Sequence, residues 1–233
     1  MFEITMNGEG KNALGTAMMR FLLEQLGEAG GRPLLITGSG DAFSAGLDLK
    51  EVAALEPAGM ESFLRLLETL MSTLFAYPAP TVALVNGHAI AGGCILALCC
   101  DYRVAARNPK TRIGLNEVAL GLRFPPKILT ITRRRIPAPH LETVILGAGL
   151  HDPDAAMRLA LIDEVSDDAR AVAEKHLTTL ASHPAVAYAA AKTELRGALE
   201  ISAEDDRRFL DDVLPTWTSP ELKACLRAVL TRR

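Results

Sequence analysis

Short aliphatic segments that end in small residues recur through the first half of this 233-residue chain. Two of them, LLIT at 34–37 and TVALV at 81–85, have the composition of buried strands, and a helical pattern follows each. Such alternation of strand and helix predicts an α/β fold with right-handed crossovers. Glycine follows both strands, so a ligand can approach the backbone closely at each turn.

Periodicity divides the chain into two regions. The first region has predicted helices at 13–26, at 59–76 and from about residue 91, and predicted strands at 33–37, 81–86 and 102–106. From about residue 138 onward helical patterns dominate, at 153–160, 168–182, 184–200, 204–213 and 219–231, with one possible short strand at 163–165. We therefore predict a core at 1–137 and a helical C-terminal subdomain at 138–233.

Composition limits the partners of the chain. A net charge of −3 and an isoelectric point near 6.0 give no basic field, so neither nucleic acid nor an anionic membrane is expected as a partner. The apolar residues, 49% of the total, are interrupted too often to give a span of roughly 20 residues. The first residues also lack a basic start and an apolar h-region. These features predict a cytoplasmic location.

The cysteines and histidines show no metal-binding pattern. Four cysteines lie in apolar stretches without CxxC spacing, which predicts buried, reduced thiols: Cys94, Cys99, Cys100 and Cys225. The five histidines show no HExxH spacing, and no metal is predicted.

Several motifs occur in a characteristic order. FSAGLD at 43–48 and GHAIAGGC at 87–94, each with the strand before it, resemble the two signature blocks of the crotonase (enoyl-CoA hydratase/isomerase) superfamily. CDYRVA at 100–105 and IGLNEVALG at 113–121 resemble the next strand and the acid/base loop of that family, and KNAL at 11–14 resembles the motif that opens its first helix. The matching blocks extend from about residue 11 to residue 121.

This resemblance implies a fold and a substrate class. The expected architecture is a crotonase-like ββα spiral core followed by a C-terminal helical region that mediates trimer formation and covers the acyl-CoA site. The expected partners are an acyl-CoA thioester and further copies of the chain, in a homotrimer or a dimer of trimers. Coenzyme A enters as part of the substrate, and no separate cofactor is expected, because no Walker loop or GxGxxG follows a strand. About ten residues precede the KNAL motif, so the N-terminal hairpin is expected to be shortened.

The resemblance also implies a set of site residues. The N–H groups of Ala45 and Gly92 are the expected oxyanion donors, and Glu117 is the expected base, with a pKa raised by apolar neighbours. Substrate contacts are expected at seven further positions: Ser44, Gly46, Asp48, Leu49, Gly93, Ile95 and Leu120. Simpler interpretations stay open, because Asp48 has the position of a helix cap, the glycines can serve turns alone, and Glu117 can be a solvated loop residue.

One departure from the family bears on the reaction. Hydratases of the family carry a glutamate where this chain has Ile95, and hydration benefits from two carboxylates that hold one water. Shifting a double bond from C3 to C2 needs a single carboxylate. The IGLNE loop is also similar to that of the mitochondrial 3,2-trans-enoyl-CoA isomerases, which lack the first glutamate. We therefore expect an enoyl-CoA isomerase.

Two alternatives stay open. The first is an enoyl-CoA hydratase or another acyl-CoA lyase, which a polar side chain facing Glu117 would favour. The second is a non-catalytic acyl-CoA-binding or scaffold member, which a pocket filled by Leu122 or Phe124 would favour.

Basic and polar residues outside these motifs are expected to be structural. The run at 133–135 is expected to be a solvated helix end, in preference to a contact with nucleotide phosphates. Asp101 and Arg103 are expected to support the fold, and His88 to pack at a strand end. The arginines at 232 and 233 fall where the family often brings a basic residue to coenzyme A phosphates.

Overall fold

A computed structural model of the chain describes residues 1–231, so Arg232 and Arg233 lie outside the described residues. Eight parallel strands form a five-stranded sheet, in the order β1-β2-β4-β6-β8, and a three-stranded sheet, in the order β3-β5-β7. The strands are β1 (Phe2–Met6), β2 (Leu34–Gly38), β3 (Ala42–Ser44), β4 (Thr81–Val85), β5 (His88–Ile90), β6 (Tyr102–Ala106), β7 (Ile113–Gly114) and β8 (Glu164–Ser166).

The helices surround the two sheets. In chain order they are α1 (Glu9–Asn12), α2 (Thr16–Ala29), α3 (Leu49–Ala54), α4 (Pro57–Phe75), α5 (Gly92–Cys99), α6 (Pro126–Arg135), α7 (Ala138–Gly147), α8 (Pro153–Arg158), α9 (Ala169–Ala181), α10 (Ala185–Arg196), α11 (Ala203–Arg208), α12 (Leu214–Trp217) and α13 (Pro220–Thr231). A 3-10 helix covers Val118–Leu120, and a π-helical turn covers Phe209–Val213.

The strand pairs give the fold its repeat. Each repeat has one strand in the large sheet, the next strand in the small sheet, and then a helix. The three repeats are β2-β3-α3, β4-β5-α5 and β6-β7 with the 3-10 helix. This is the ββα spiral that the motifs imply. The predicted strands at 33–37, 81–86 and 102–106 are confirmed to within one or two residues, and the possible strand at 163–165 is confirmed as β8.

Both faces of the large sheet are covered. All residues of β2 and β4 are buried, as expected for the near-continuous apolar strands of a parallel sheet. On one face Leu35, Val82 and Val104 pack against Ala173 and Leu177 of α9. The other face belongs to the main core, which continues into the small sheet.

The first predicted helix begins later than its periodicity indicates. The structure starts α2 at Thr16, and Leu14 instead forms an isolated parallel bridge with Leu47. Asn12 lies buried beside it with a positive φ of 58°, and its Nδ2 donates to Ala42 O at 2.8 Å. The KNAL motif therefore joins the turn after β3 instead of opening a helix.

The C-terminal region shares the core of the first region. β8 pairs with β6 at the edge of the large sheet. Phe209, Trp217 and Leu226 are buried in the main core together with Leu67 of α4. The sheet and the core thus both extend across residue 137. The division of the chain into two regions at that residue stays a prediction.

A buried charge cluster joins α10 to the sheet. Asp101, which follows α5, accepts hydrogen bonds from Lys192 Nζ at 2.8 Å, from Arg196 Nη2 at 2.5 Å and from the N–H of Thr81 at 2.8 Å. Arg196 also donates to Cys99 O at 2.9 Å. The structural role expected for Asp101 is confirmed.

The arginine run at 133–135 matches the expectation of a solvated helix end only in part. Arg135 Nε donates to Leu98 O at 2.8 Å, and Nη2 donates to Cys100 O at 2.8 Å. Arg134 donates to Ala198 O at 3.1 Å. The expectation is wrong for Arg135, which is half-buried and satisfies carbonyl groups at the end of α5, whereas Arg133 and Arg134 are exposed as expected.

The structure also tests the expectations for the cysteines and for His88. Cys94, Cys99 and Cys100 are buried, whereas Cys225 is exposed because it lies on the outer face of α13, so burial is wrong for that thiol. His88 Nδ1 accepts from the N–H of Arg112 at 3.0 Å at the start of β5, which confirms its packing at a strand end. Among residues 1–231, no helix is both long and apolar enough to cross a membrane.

We expect Asp101→Ala to lower the free energy of unfolding by about 3–5 kcal/mol, because Lys192 and Arg196 then stay buried without their carboxylate. Urea denaturation at neutral pH measures the change. The control is Asp154→Ala, which breaks an exposed pair with Arg107 and is expected to change stability by less than about 1 kcal/mol. Equal effects of the two substitutions would contradict a supporting role for the buried cluster.

Candidate active site

A narrow cavity lies where the turn after β3, the start of α5, the loop before α6 and the C-terminal helices meet. Its volume is about 60 Å³. Six of the predicted site residues line it: Ala45, Leu49, Gly92, Ile95, Glu117 and Leu120. Among the described residues that line this cavity, Glu117 is the only one that carries a carboxylate.

Glu117 is held in place by the backbone around it. It immediately precedes the 3-10 helix, and its carbonyl accepts from the N–H groups of Leu120 at 3.0 Å and Leu122 at 2.9 Å. The side chain is 7% exposed, and its Oε2 has no hydrogen-bond partner within the described chain. Burial raises the pKa of Glu117 to about 7, from an ordinary value of 4.5.

The apolar neighbours of Glu117 explain this raised pKa. Ile95 is 3% exposed and Leu122 is 5% exposed, and both line the cavity with Leu120. Their surfaces exclude water, which disfavours the charged carboxylate. The burial expected for Glu117 is confirmed, and a solvated loop position is excluded.

The first predicted oxyanion donor requires a correction. The N–H of Ala45 donates to Lys11 O at 3.0 Å, so it is already occupied, although Ala45 borders the cavity. The N–H of Gly46 faces Ser44 Oγ at 3.3 Å. Leu47 lines the cavity, and its N–H has no acceptor among residues 1–231. In this turn, the N–H group that is free and borders the cavity is therefore that of Leu47, not that of Ala45.

The N–H of Gly92 is a second donor without an acceptor among residues 1–231. Gly92 is the first residue of α5, where N–H groups have no partner inside the helix, and it lines the same cavity. Ala91 before it has a φ of 49° and a ψ of −120°, a rare conformation for a residue with a side chain. This sharp turn allows α5 to begin at the cavity, where the positive end of its dipole favours negative charge.

The remaining predicted residues lie behind the cavity lining. Ser44 is buried and its Oγ donates to Asn12 O at 2.8 Å. Asp48 caps α3, because its Oδ1 accepts from the N–H of Lys50 at 2.9 Å. Gly46 and Gly93 allow the turn after β3 and α5 to touch. Contact of these four residues with a ligand stays a prediction.

Asn116 is a lining residue that the sequence analysis did not select. Its Oδ1 is buried and has no hydrogen-bond partner in the part of the chain that the structure describes. The signal in the sequence is its position directly before Glu117. Arg123 and Trp217 also line the cavity, and neither motif nor periodicity indicates them. No three His, Cys, Asp or Glu side chains within residues 1–231 are placed to hold a metal ion.

Comparison with known proteins agrees with the fold and the motifs. A family model described as enoyl-CoA hydratase/isomerase matches residues 1–221. The chain belongs to this family. A putative enoyl-CoA hydratase of Thermus thermophilus is 31% identical over 235 residues, which cover 97% of this chain and 92% of that protein.

Relatives named as isomerases match a shorter part of the chain. The mitochondrial enoyl-CoA delta isomerase 1 of Mus musculus is 39% identical over 123 residues, which are 53% of this chain and 43% of the mouse protein. The match thus spans less than half of that relative. The crystal structure of human mitochondrial delta3-delta2-enoyl-CoA isomerase has a TM-score of 0.88 at 24% identity, and covers 99% of this chain and 93% of the human one. This likeness supports the crotonase-like fold.

We expect Glu117→Gln to stabilise the protein increasingly as the pH rises from about 4.5 to 8. A carboxyl whose pKa is raised to about 7 binds its proton more tightly in the folded state, so the wild type loses stability over this interval. The loss is at most about 3 kcal/mol, and glutamine does not share it. Urea denaturation at several pH values measures the difference between variant and wild type. The control is Glu24→Gln, at an exposed carboxyl of α2; a difference for Glu117→Gln that stays constant with pH would contradict the raised pKa.

Proposed function

We propose that the protein is an enoyl-CoA isomerase that converts 3-enoyl-CoA to 2-enoyl-CoA. The observation that carries this proposal is a single buried carboxylate, Glu117, in a cavity that also contains two unpaired N–H donors, those of Leu47 and Gly92. A double-bond shift needs one base that moves one proton and a site for one developing oxyanion. This donor and acceptor set matches that requirement.

The proton moves in two steps. The Glu117 carboxylate removes a proton from C2 of the substrate, and the electron pair of the C–H bond delocalises onto the thioester oxygen to give a dienolate. Glu117, now a carboxylic acid, returns the same proton to C4, and the remaining electrons form the double bond between C2 and C3. Glu117 ends as a carboxylate, so no other reactant is consumed.

The raised pKa suits both steps. A base with a pKa of about 7 is substantially ionised at neutral pH, and its conjugate acid still gives up the proton readily. Loss of one positioned oxyanion donor in other enzymes lowers the rate by roughly 10²–10³-fold. The N–H groups of Leu47 and Gly92 are assigned that stabilising role here, because each is free and borders the cavity.

Hydration is the second candidate function, and Asn116 is the observation that favours it. Its buried, unpaired Oδ1 can accept a hydrogen bond from a water molecule near Glu117. An amide cannot supply the second proton transfer that a second carboxylate performs, and Ile95 occupies the position where hydratases carry that group. Isomerisation is therefore preferred over hydration.

A non-catalytic binding role is less consistent with the cavity. Leu122 and Phe124 line it but leave about 60 Å³ open beside Glu117. A buried carboxyl without a partner destabilises a fold, which is unexpected in a scaffold that performs no proton transfer. Coenzyme A as part of the substrate, a trimer or a dimer of trimers, and a cytoplasmic location belong to the same proposal and stay predictions.

Substrate preference separates the two candidate functions. We expect wild-type protein to convert 3-hexenoyl-CoA to 2-hexenoyl-CoA faster than it hydrates 2-hexenoyl-CoA, because Ile95 can neither accept nor donate a proton. Chromatography with mass detection identifies both products. Asn116→Ala tests the alternative, since loss of a water-holding amide would reduce hydration much more than isomerisation. Faster hydration than isomerisation by the wild type would reject the proposal.

The central residue can be tested without changing its size. We expect Glu117→Gln to reduce isomerisation by roughly 10²–10⁴-fold, because the variant lacks the base while most of the shape of the cavity is kept. Exchange of the C2 hydrogen with deuterium oxide, followed by mass spectrometry, should fall in parallel, whereas binding of hexanoyl-CoA should be kept. The matched control is Glu24→Gln. Near wild-type exchange by folded Glu117→Gln would show that another group removes the proton.

A further inference from the structure

The cavity beside Glu117 has a partly open rim and a closed floor. The rim consists of half-buried residues, among them Ala45, Leu49 and Val229. The floor consists of apolar side chains that are at most 5% exposed: Leu67, Leu122, Ile128 and Trp217. A substrate must therefore enter at the rim, and the end of its acyl chain meets the floor.

Trp217 is fixed in the floor by a hydrogen bond. Its Nε1 donates to Arg123 O at 3.1 Å, and Arg123 Nη1 donates to Asp212 O at 2.7 Å. The loop before α6 and the π-helical turn before α12 thus hold each other across the cavity. The indole cannot swing away without leaving a buried donor unpaired, which is unfavourable.

The neighbouring wall is also fixed. Ile128 lies on α6, and the N–H of Lys127 in its first turn donates to Glu68 Oε1 at 2.9 Å. Glu68 is 2% exposed and belongs to α4, so the start of α6 is held from inside the core. Pro125 and Pro126 restrict the backbone just before this point. The wall cannot move away from the cavity without breaking this cap.

The space between rim and floor is small. At ~15 Å³ for each enclosed water, a cavity of about 60 Å³ holds roughly four waters. A chain of similar volume has about four carbon atoms beyond the thioester carbon. Longer chains must displace Trp217 or Ile128, both of which are held by the contacts described above.

We propose that the site selects short acyl chains, of about four to six carbons, and that Trp217 is the residue that sets this limit. The reaction part of this inference rests on the proposed isomerase function, but the limit on binding does not. It applies to any acyl-CoA thioester that uses this cavity.

Binding of unreactive saturated thioesters tests the limit directly. We expect isothermal titration calorimetry to show hexanoyl-CoA binding at least about 10-fold more tightly than decanoyl-CoA, whereas an open pocket would favour the longer, more apolar chain. Trp217 is the only tryptophan of the chain, so its emission gives a second readout. Hexanoyl-CoA should shift that emission and free coenzyme A should not. Decanoyl-CoA binding as tightly as hexanoyl-CoA would overturn the inference.

Two variants open the floor in different ways. Trp217→Leu and Ile128→Ala should each strengthen decanoyl-CoA binding relative to hexanoyl-CoA by at least about 10-fold. The matched control is Phe209→Leu, which shortens a buried aromatic side chain of the same C-terminal region that does not line the cavity. Circular dichroism confirms that each variant is folded. An unchanged ratio of decanoyl-CoA to hexanoyl-CoA affinity in folded Trp217→Leu, or an equal change in the control, would remove Trp217 from this role. An unchanged ratio in folded Ile128→Ala would contradict a floor that limits chain length.

Turnover separates this inference from the proposed function. Conversion of 3-hexenoyl-CoA and 3-decenoyl-CoA is measured for the same variants. A binding limit without isomerisation at either length would reject the isomerase and keep the chain-length limit. Isomerisation of both lengths at equal kcat/KM would keep the isomerase and reject the limit.

Discussion

Close backbone contact between the turn after β3 and the start of α5 is the constraint on which the site depends. A Cβ on Gly93 would lie 2.3 Å from Ser44 O, and one on Gly46 would lie 2.7 Å from Ile90 O. Side chains at these positions would separate the two segments. Because they touch, the free N–H groups of Leu47 and Gly92 border one cavity, although the two residues come from different turns of the spiral. Glu117 reaches the same cavity from the next repeat of the spiral, between β7 and the 3-10 helix.

The buried carboxyl of Glu117 shows how the fold supports an unfavourable group. Buried polar atoms usually have partners, yet neither Glu117 Oε2 nor Asn116 Oδ1 has one within residues 1–231. By contrast, Asp101 is surrounded by cationic donors and joins α10 to the sheet. The first arrangement raises a pKa towards neutrality, and the second holds the helices together. Within residues 1–231, the carboxyl proposed as the base is thus unpaired, whereas the structural carboxyl of Asp101 is paired with two cations.

The sequence predicts the strands, the motifs and the burial of Glu117, but not the direction of individual N–H groups. Long aliphatic strands such as β4 give a clear pattern, whereas β3, β5 and β7 have two or three residues and no readable period. Whether Ala45 or Leu47 supplies the free donor depends on Lys11 O, which lies in a different segment. The place of Trp217 in the cavity lining is equally hard to predict from the sequence, because its hydrogen-bond partner Arg123 lies 94 positions earlier.

The residues of the proposed acyl-chain floor also belong to the hydrophobic core. A π-helical turn over Phe209–Val213 adds a residue to the local winding, and such turns often occur at functional sites. Phe209 enters the core beneath Arg65, and Trp217 closes the cavity. Both side chains are almost fully buried, so neither can change size without repacking the core. A substitution that enlarges this floor is therefore expected to lower the free energy of unfolding, unless a compensating change in α4, which packs against α12, fills the space.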